Sequence, residues 1–513
     1  MPRRVTFDIS LTEPNDDRFV YDVGVSGTPD ATHTNCYVIT EGKKQYIVPV
    51  SRFDPVETVQ SSSRGTAIMV WSEQSNKRIT AYGQVSSSIY DSTTLLATNN
   101  TVTTNIGALC NSIVETSINA TPFLYLTASD NTGWVYSNTS TVTKISTSTY
   151  PGNAGRTLAG GGAPMDGYMF QMDSRGDIWN SALNTLTNWP ASNVLNASGY
   201  PDNGIAAVRW KQYIMAFGKE SIEFYYNAGN AQGSPLTRNA NMALHIGATS
   251  ADAIVEIADT IFFCASTEDG GLSIYMWNGA LTRISTPVVD RFLVEYSGSQ
   301  INLQIYPDVG RHFLVVHLGV SVPLGVNNNL SWVYCVEEKF WFQTDCNLGL
   351  LKYAAKSIGT TQPVYALMAT STLNFLDEVS SYVGRTLAIY ASSRKFGQPV
   401  SVQFQNANIQ TPPIDPGQGR FVVYERLQLL GDSLGSSSPE SISVHISDND
   451  YRSTTTQIGT FYLSTYTPTI TRMGGAVTPR SFRMSITSQS TRPFRLEKLR
   501  CTVKIGDKLV SER

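Results

Sequence analysis

The sequence reads Phe217-Gly218-Lys219-Glu220-Ser221-Ile222-Glu223-Phe224-Tyr225-Tyr226 and, after a Gly/Asn-rich turn, Asn241-Met242-Ala243-Leu244-His245-Ile246-Gly247. An apolar run rich in β-branched residues follows at Ala253–Cys264, and Tyr275-Met276-Trp277-Asn278-Gly279 and Thr282-Arg283-Ile284-Ser285-Thr286 close the stretch. β-Branched and aromatic residues in short runs, separated by Gly, Asn and Asp, are typical of successive strands and turns. The stretch therefore predicts repeated β-hairpins, and it contains no nucleophile, metal or phosphate-loop motif.

The composition predicts an all-β chain with more than one structural unit. Its 513 residues exceed what one simple core usually organises. Only 15% of them are charged, whereas Ser, Thr, Asn and Gly are abundant. Helices need many Glu, Lys, Arg and Ala, so this composition favours strands.

Hairpin-like strands recur along the chain at intervals of roughly 45 to 55 residues, the period of a propeller blade. We predict a β-propeller of six or seven blades. The alternative is a plain β-sandwich with scattered aromatic residues. The strand positions that set the period are Ile68, Phe123, Tyr168, Tyr213, Ile261, Phe313 and Val364.

Most of these units place a large aromatic residue in their second or third strand. Neighbouring blades pack face to face, and a flat aromatic side chain can fill the wedge between them. The residues predicted for this role are Trp134, Trp179, Tyr225, Trp277 and Trp332.

The chain divides into three predicted parts. Residues 1–55 form an extended segment with a first hairpin that turns at Glu41-Gly42, residues 56–390 form the propeller, and residues 391–513 form an additional C-terminal β-sandwich-like domain. Pro287–Glu295 is the best short amphipathic helix. Strands of the last part are predicted at Val422–Leu430, Ser441–Ile446, Ile458–Leu463, Ser481–Ile486 and Leu499–Ile505.

A set of motifs in a fixed order resembles a known family. Phe217-Gly218-x-x-Ser221-Ile222-Glu223-Phe224 precedes His245-Ile246-Gly247, then Tyr275-x-Trp277-x-Gly279, then Arg283-Ile284-Ser285-Thr286 before the amphipathic Val288–Leu293. This order resembles the packaged-DNA stabilisation proteins, the tail hub or nozzle components of short-tailed bacteriophages. The similarity continues downstream in His312–Val316, Ser331–Tyr334 and Lys339–Trp341.

The resemblance implies a structural virion protein of the phage tail rather than an enzyme, made in the host cytoplasm. It implies a homo-oligomer, a hexameric ring, that extends the DNA channel below the portal and its adaptor ring. Such a ring helps to retain the packaged genome and later to deliver it. Its other implied partners are a tailspike or fibre, a tail plug or needle, and packaged DNA in transient, non-specific contact.

The residues point to no catalytic, cofactor or metal site. His33, His245, His312, His317 and His445 have no ligand spacing, and His312 and His317 differ by an odd number in one predicted strand, so they face apart. Gly160-Gly161-Gly162 lacks the Gly-Lys-Ser/Thr of a phosphate loop, which indicates a flexible bend.

A carbohydrate-binding or sialidase-like glycan-hydrolysing propeller is the alternative function. Ser174–Trp179 and Ser447–Tyr451 are similar to the Asp-box hairpins of sialidases, which are folding elements in which a polar side chain bonds the turn backbone. Sialidase chemistry also needs three arginines that converge on a carboxylate. The available arginines are Arg209, Arg238, Arg283 and Arg291. A scaffold propeller of the WD40 type is disfavoured because the Gly-His and Trp-Asp signatures are absent.

Charge and cysteine usage limit the remaining possibilities. The net charge of −3 excludes a generally basic nucleic-acid binder. Residues 396–513 hold about 13 Lys/Arg against about 9 Asp/Glu, so the rest of the chain is the more acidic part. Six scattered cysteines, two of them (Cys264 and Cys335) inside apolar runs, favour buried free thiols. The N-terminus lacks an apolar signal segment, and no run is long enough for a membrane helix, so we expect a soluble protein.

Overall fold

The computed structural model of the protein describes most of the chain. The described residues are 3–11, 33–50, 53–61, 64–71, 77–83, 88–92, 100–102, 104–137, 142–196, 199, 202–266, 270–295, 301–308, 310–318, 331–344, 349–354, 365–369, 386–392, 407–411, 414–418, 420–432, 441–448, 455–465, 467–487 and 494–509.

The strands fall into three runs along the chain. The first run is β1 (Arg3–Ser10), β2 (His33–Thr34), β3 (Cys36–Glu41) and β4 (Lys44–Pro49). The first half of the second run is β5 (Phe53–Ser61), β6 (Arg64–Trp71), β7 (Lys77–Gly83), β8 (Ser88–Ser92), β9 (Asn100–Val102), β10 (Thr104–Asn105), β11 (Cys110–Ile118), β12 (Thr121–Ala128), β13 (Gly133–Tyr136), β14 (Val142–Lys144), β15 (Leu158–Met165), β16 (Tyr168–Asp173), β17 (Asp177–Asn180) and β18 (Val194–Asn196).

The second run continues with β19 (Gly204–Trp210), β20 (Tyr213–Gly218), β21 (Ile222–Asn227), β22 (Leu236–Leu244), a 3-10 turn (Ala251–Ala253), β23 (Ile254–Ile257), β24 (Thr260–Ser266), β25 (Leu272–Trp277), β26 (Leu281–Arg283), helix α1 (Pro287–Glu295), β27 (Ile301–Asp308), β28 (Arg311–Leu318), β29 (Ser331–Cys335), β30 (Phe340–Thr344), β31 (Gly349–Ala354), β32 (Tyr365–Ala369) and β33 (Thr386–Ser392). The third run is β34 (Ala407–Gln410), β35 (Arg420–Gly431), β36 (Ser441–Ser447), β37 (Thr456–Tyr462), β38 (Thr469–Thr471), β39 (Gly475–Ala476), β40 (Ser481–Thr487) and β41 (Leu496–Leu509).

The second run forms the blades of a propeller. Each blade is an antiparallel sheet whose strands follow one another in the chain: β6–β10 in blade 1, β11–β14 in blade 2, β15–β18 in blade 3, β19–β22 in blade 4, β23–β26 in blade 5 and β27–β30 in blade 6. Blade 7 has the order β31-β32-β33-β5, so its outermost strand comes from the N-terminal side of the propeller. The described residues thus form seven blades, which confirms the predicted propeller.

The blades close into a circle. The first strands contact each other in the order β6 to β11, β11 to β15 and β15 to β19, and later β23 to β27, β27 to β31 and β31 back to β6. Blades 4 and 5 share a core that includes Trp210, Phe217 and Phe263. Because the circle has no free end, and because β5 pairs with β33 more than 300 residues away, opening it requires sheet pairing to break.

All five predicted wedge aromatics lie in the third strand of a blade and pack against the preceding blade. The ring centre of Trp277 in blade 5, for example, lies 5.5 Å from that of Trp210 and 5.2 Å from that of Phe224, both in blade 4. The other four take the same position in the shared cores of blades 1/2, 2/3, 3/4 and 5/6: Trp134, Trp179, Tyr225 and Trp332. The even spacing in the sequence therefore reflects one packing site that repeats around the circle.

The first and third runs form a β-sandwich together. One sheet has seven strands, in which β1, β4 and β35 all pair with β41. The facing sheet has nine strands and continues from blade 6 through β2 into β34, β40, β36 and β37. A single core joins the N-terminal hairpin, the C-terminal strands and one face of blade 6. The ring centre of Tyr37 on β3, for example, lies 5.0 Å from that of Phe313 in blade 6.

Most local predictions match the structure. Strands β35, β36, β40 and β41 cover four of the predicted C-terminal strands, β37 ends one residue before the end of the fifth, and α1 has the predicted bounds. The β3–β4 hairpin turns at Gly42, whose φ is +64°. Val364 lies outside the described residues. The division of the chain near residues 55 and 390 stays a proposal, and the pairing shows that the N-terminal strands join the C-terminal sheets.

Candidate functional site

The turn between β16 and β17 is built around one buried carboxylate. Asp173 Oδ1 accepts hydrogen bonds from the backbone nitrogens of Arg175 (2.9 Å) and Asp177 (3.1 Å), and its Oδ2 accepts from Trp179 Nε1 (3.2 Å). Arg156 Nε lies 3.9 Å from the same carboxylate. The sequence located this turn at Ser174–Trp179, and the carboxylate that bonds the backbone is the residue just before it. The turn is therefore a folding element, as the Asp-box similarity implies.

The second turn of this kind uses its carboxylate differently. Asp448 pairs with Arg480, whose Nε and Nη2 donate to its two oxygens at 2.5 and 2.8 Å. The Arg480 guanidinium is 3% exposed and lies 4.7 Å from the ring centre of Tyr424. Because Nη1 also donates to the Met473 carbonyl, this group holds the C-terminal sheets together. Residues 449 to 451 of the predicted turn lie outside the described residues.

The four arginines proposed for a sialidase-like site lie on different elements. Arg209 on β19 donates to the backbone carbonyls of Lys211 and Pro164. Arg238 on β22 pairs with Glu223, and Arg283 on β26 pairs with Asp290. Arg291 lies on α1. Three of them therefore have separate partners, which lie in blade 3, in blade 4 and on α1.

Buried charge in blade 4 was not predicted from the sequence. Glu223 is 3% exposed, accepts a hydrogen bond from the Tyr225 hydroxyl and has Arg238 Nη2 at 3.3 Å. Burial and the Glu223 carboxylate raise the pKa of Tyr225 well above its usual range, so its hydroxyl stays protonated. The group links β21 to β22 as a neutralised internal pair. Its signal in the sequence is a glutamate inside an apolar strand, next to a strand that carries an arginine.

The histidines and the other residues that could bind a metal ion are dispersed. His33 is buried and its Nε2 lies 2.6 Å from the Leu11 carbonyl, whereas His312 Nδ1 lies 2.6 Å from Glu337 Oε1. His312 and His317 share strand β28, as predicted. Within the part of the chain that the structure describes, no three His, Cys, Asp or Glu side chains are grouped closely enough to hold a metal ion.

The cysteines are buried thiols. Cys36, Cys110, Cys264, Cys335 and Cys501 are all buried and free, whereas Cys346 lies outside the described residues. Burial raises the pKa of Cys335 to about 11 and that of Cys264 to about 12, so both stay protonated at neutral pH. They act as small apolar residues in the cores between sheets, as predicted.

The glycine run Gly160-Gly161-Gly162 lies inside strand β15 and not in a loop. The register of β15 against β16 shifts between Ala159 and Ala163, which marks a β-bulge. A Cβ atom at Gly160 would lie 2.7 Å from the Ala206 Cβ of blade 4, and one at Gly162 would lie 2.7 Å from the Tyr125 ring of blade 2. The predicted bend is therefore a close-packed bulge that lets three blades approach each other.

One open cavity lies at the edge of blades 3 and 4. Its volume is about 460 Å³, and turns from both blades contribute to it. The lining residues are Asp166, Gln212, Tyr213, Tyr226, Asn227 and Asn239. Sequence reasoning missed it because these residues come from four separate stretches that meet only in the folded propeller.

Comparison with protein families assigns the propeller. Residues 39–358, more than half of the chain, match the phage stabilisation family described as bacteriophage P22 Gp10, β-propeller. The chain belongs to this family. The predicted resemblance is confirmed, and the protein is a phage structural protein with the family's β-propeller.

Comparisons with other proteins add little to the family match. The comparison with curated proteins found no match. Among solved structures, a chain of the mitotic checkpoint complex has 13% identity and a TM-score of 0.37, with 66% of this chain and 93% of that chain covered. The Neurospora crassa Pan2 WD40 domain has 9% identity and a TM-score of 0.39, with 65% and 91% covered. Raptor from Chaetomium thermophilum has 9% identity and a TM-score of 0.40, with 67% and 29% covered.

None of the helices in the described part of the chain is long and apolar enough to cross a membrane.

Proposed function

We propose that the protein is the ring-forming hub, or nozzle, subunit of a phage tail. In this proposal the ring is a hexamer that lies below the portal and adaptor, extends the DNA channel, helps to retain the packaged genome and later delivers it. Membership of the P22 Gp10 stabilisation family is the observation that carries the proposal. The role is structural rather than enzymatic, and the place of action is the virion tail.

The rigidity of the subunit supports this role. A wall that retains packaged DNA has to resist outward pressure without deforming. The propeller has no free end because β5 closes blade 7, and the nine-stranded sheet continues from blade 6 into the sandwich. Close-packed sheets of this kind deform little, so a ring of such subunits would hold its diameter.

The charge distribution supports a smooth channel. The chain outside residues 396–513 carries the acidic excess, and Lys/Arg contacts are what bind phosphate. A weakly acidic propeller would therefore let DNA slide. On the seven-stranded sheet the basic side chains are largely paired: Asp8 lies 2.8 Å from both Arg500 and Lys498, and Glu425 lies 2.8 Å from both Arg4 and Lys504.

The proposed ring contact is an apolar patch on the sandwich. Phe421, Val423 and Val477 are 46%, 37% and 38% exposed. They share one area because Val422 pairs with Ala476 and the Phe421 ring lies over Gly475. We propose that this patch packs against a different surface of the next copy of the chain, as a contact that closes a ring by rotation requires.

Phages that lack the protein test the proposal. We expect particles that package DNA but lose it, so that the genome becomes sensitive to added nuclease and infectivity falls. Supplying the protein in trans should restore both properties. Particles that keep a nuclease-resistant genome and normal infectivity without the protein would overturn the proposal.

A further inference from the structure

We propose that the cavity at the edge of blades 3 and 4 is a binding site for a short neutral saccharide. Its volume of about 460 Å³ lies within the range of small-molecule sites, roughly 300–1,000 Å³. It lies on the side of the propeller where the β15–β16 and β19–β20 turns emerge, and β21 also ends there.

Two tyrosine rings provide the flat surface on which a sugar ring could pack. Tyr213 and Tyr226 pair directly across β20 and β21, so their side chains leave the sheet on the same face. Tyr213 is held by stacking on Trp210, with ring centres 6.0 Å apart at 20°. Tyr226 is 39% exposed, which sets it apart from the other large aromatic residues whose side chains the structure describes in the propeller strands. The apolar C–H face of a pyranose can pack on such a ring, and the tyrosine hydroxyl can bond its polar edge.

The polar groups around these rings suit hydroxyl groups of a ligand. Asn227 Nδ2 donates to Asp166 Oδ2 at 3.0 Å, and its Oδ1 accepts from the Gly229 nitrogen at 2.9 Å, so both ends of this amide are fixed. Asn239 accepts from the Asn241 nitrogen at 3.1 Å through its Oδ1, which leaves its NH₂ group to donate. The second Asp166 oxygen can accept, and the Gln212 amide can do both. A sugar hydroxyl donates and accepts at once and therefore matches this mixture.

The charge of the cavity selects against other ligands. Among the residues that line the cavity, Asp166 is acidic and none is a lysine or arginine. Lys211 is next to Gln212 in the chain, but its ammonium lies over the Trp210 ring at 5.0 Å. Lysine and arginine supply the main contacts to nucleic-acid phosphates, so their absence from the lining disfavours DNA. A neutral saccharide meets no charge repulsion.

Saturation-transfer NMR on the full chain tests the site. The probes are a panel of neutral sugars (glucose, galactose, mannose, rhamnose, N-acetylglucosamine, maltose and lactose) and, in a separate arm, a short DNA oligonucleotide. We expect at least one sugar to bind with a dissociation constant of about 1 mM or tighter. Tyr226→Ala and Asp166→Asn should each weaken that binding by about tenfold or more.

Tyr462→Ala is the matched control, because Tyr462 is a 61% exposed tyrosine in the sandwich, far from the cavity in the fold. Its sugar binding should equal that of the unchanged protein, and the melting temperatures of all three variants should confirm folding. Failure of every sugar in the panel would overturn the proposal. So would sugar binding that survives both cavity substitutions, or binding of the oligonucleotide alone. None of these outcomes bears on ring formation.

Discussion

At the residue scale, the wedge aromatics carry much of the stability of the propeller. Trp277 is 6% exposed and contacts Trp210 and Phe224 across the boundary between blades 4 and 5. Trp277→Ala should lower the free energy of unfolding by about 3–5 kcal/mol, because it removes buried area and leaves a cavity. Leu281→Ala is the control in the same blade: Leu281 is 38% exposed, and its loss should cost about 0.5 kcal/mol or less. Denaturant unfolding measures both, and equal costs would contradict the wedge role.

Asp173 and Asp177 in one turn allow a second comparison. Asp173 is fully buried with three hydrogen bonds to its carboxylate, whereas the partly exposed Asp177 carboxylate accepts from Asn196 and lies 3.8 Å from Arg156 Nη1. Asp173→Ala should cost about 2–4 kcal/mol, because it leaves buried N–H groups without partners. Asp177→Ala should cost under about 1 kcal/mol. Thermal unfolding of the two variants should show this order, and the reverse order would mean that the turn depends on the other carboxylate.

His33 should make stability depend on pH. Burial lowers the pKa of His33 from 6.5 to about 4, although its hydrogen bond to Leu11 opposes the change. Below about pH 6.5 the unfolded chain therefore binds a proton that the folded chain does not. The stability that His33 contributes is complete above this pH and is lost as the pH falls towards 4, up to about 3 kcal/mol.

The matched variant for this prediction is His33→Gln, which does not titrate and can still donate to the Leu11 carbonyl. Guanidinium unfolding at about pH 7 and about pH 4 should show a smaller pH-dependent loss for His33→Gln than for the unchanged protein. Identical losses would show that folding does not change the pKa of His33.

At the scale of the element, local pattern and long-range pairing differ in how well a sequence reveals them. The wedge aromatics and strands such as β35 and β40 could be predicted, because burial alternates along them or recurs with the blade period. The closing pair β5–β33 and the two-residue strand β2 could not, since neither local pattern specifies a partner 300 residues away. The cavity was hidden for the same reason, as Asp166, Tyr213 and Asn239 meet only after blades 3 and 4 pack.

Blade 6 belongs to two structural units, which leads to a prediction about truncation. Phe313, Val315 and Phe342 lie in the core that the sandwich shares with blade 6. A chain of residues 53–392 would expose this face, so we expect it to bind a dye for exposed apolar surface and to melt below the full-length protein. The full chain under the same conditions is the control. Equal melting temperatures and no dye binding by the truncated chain would show that the propeller is independent of the sandwich.

At the scale of the whole molecule, closure occurs twice in our proposal. Seven blades close within the subunit, and subunits then close into a ring through a contact between unlike surfaces. The patch around Phe421 is suited to that second closure because it is apolar and exposed on a rigid sheet. A glutamate at position 421 would contact water in the free subunit, but its charge would be buried without a partner in the ring contact. Phe421→Glu should therefore prevent assembly while the subunit stays folded.

Mass photometry combined with negative-stain electron microscopy tests the ring proposal most directly. The purified protein would be measured alone and with the adaptor–portal complex, and Phe421→Glu would be measured beside it. We predict one closed oligomer, a hexamer, with a central hole, and monomers of unchanged melting temperature for the variant. Monomers of the unchanged protein under both conditions, at micromolar concentration, would contradict it.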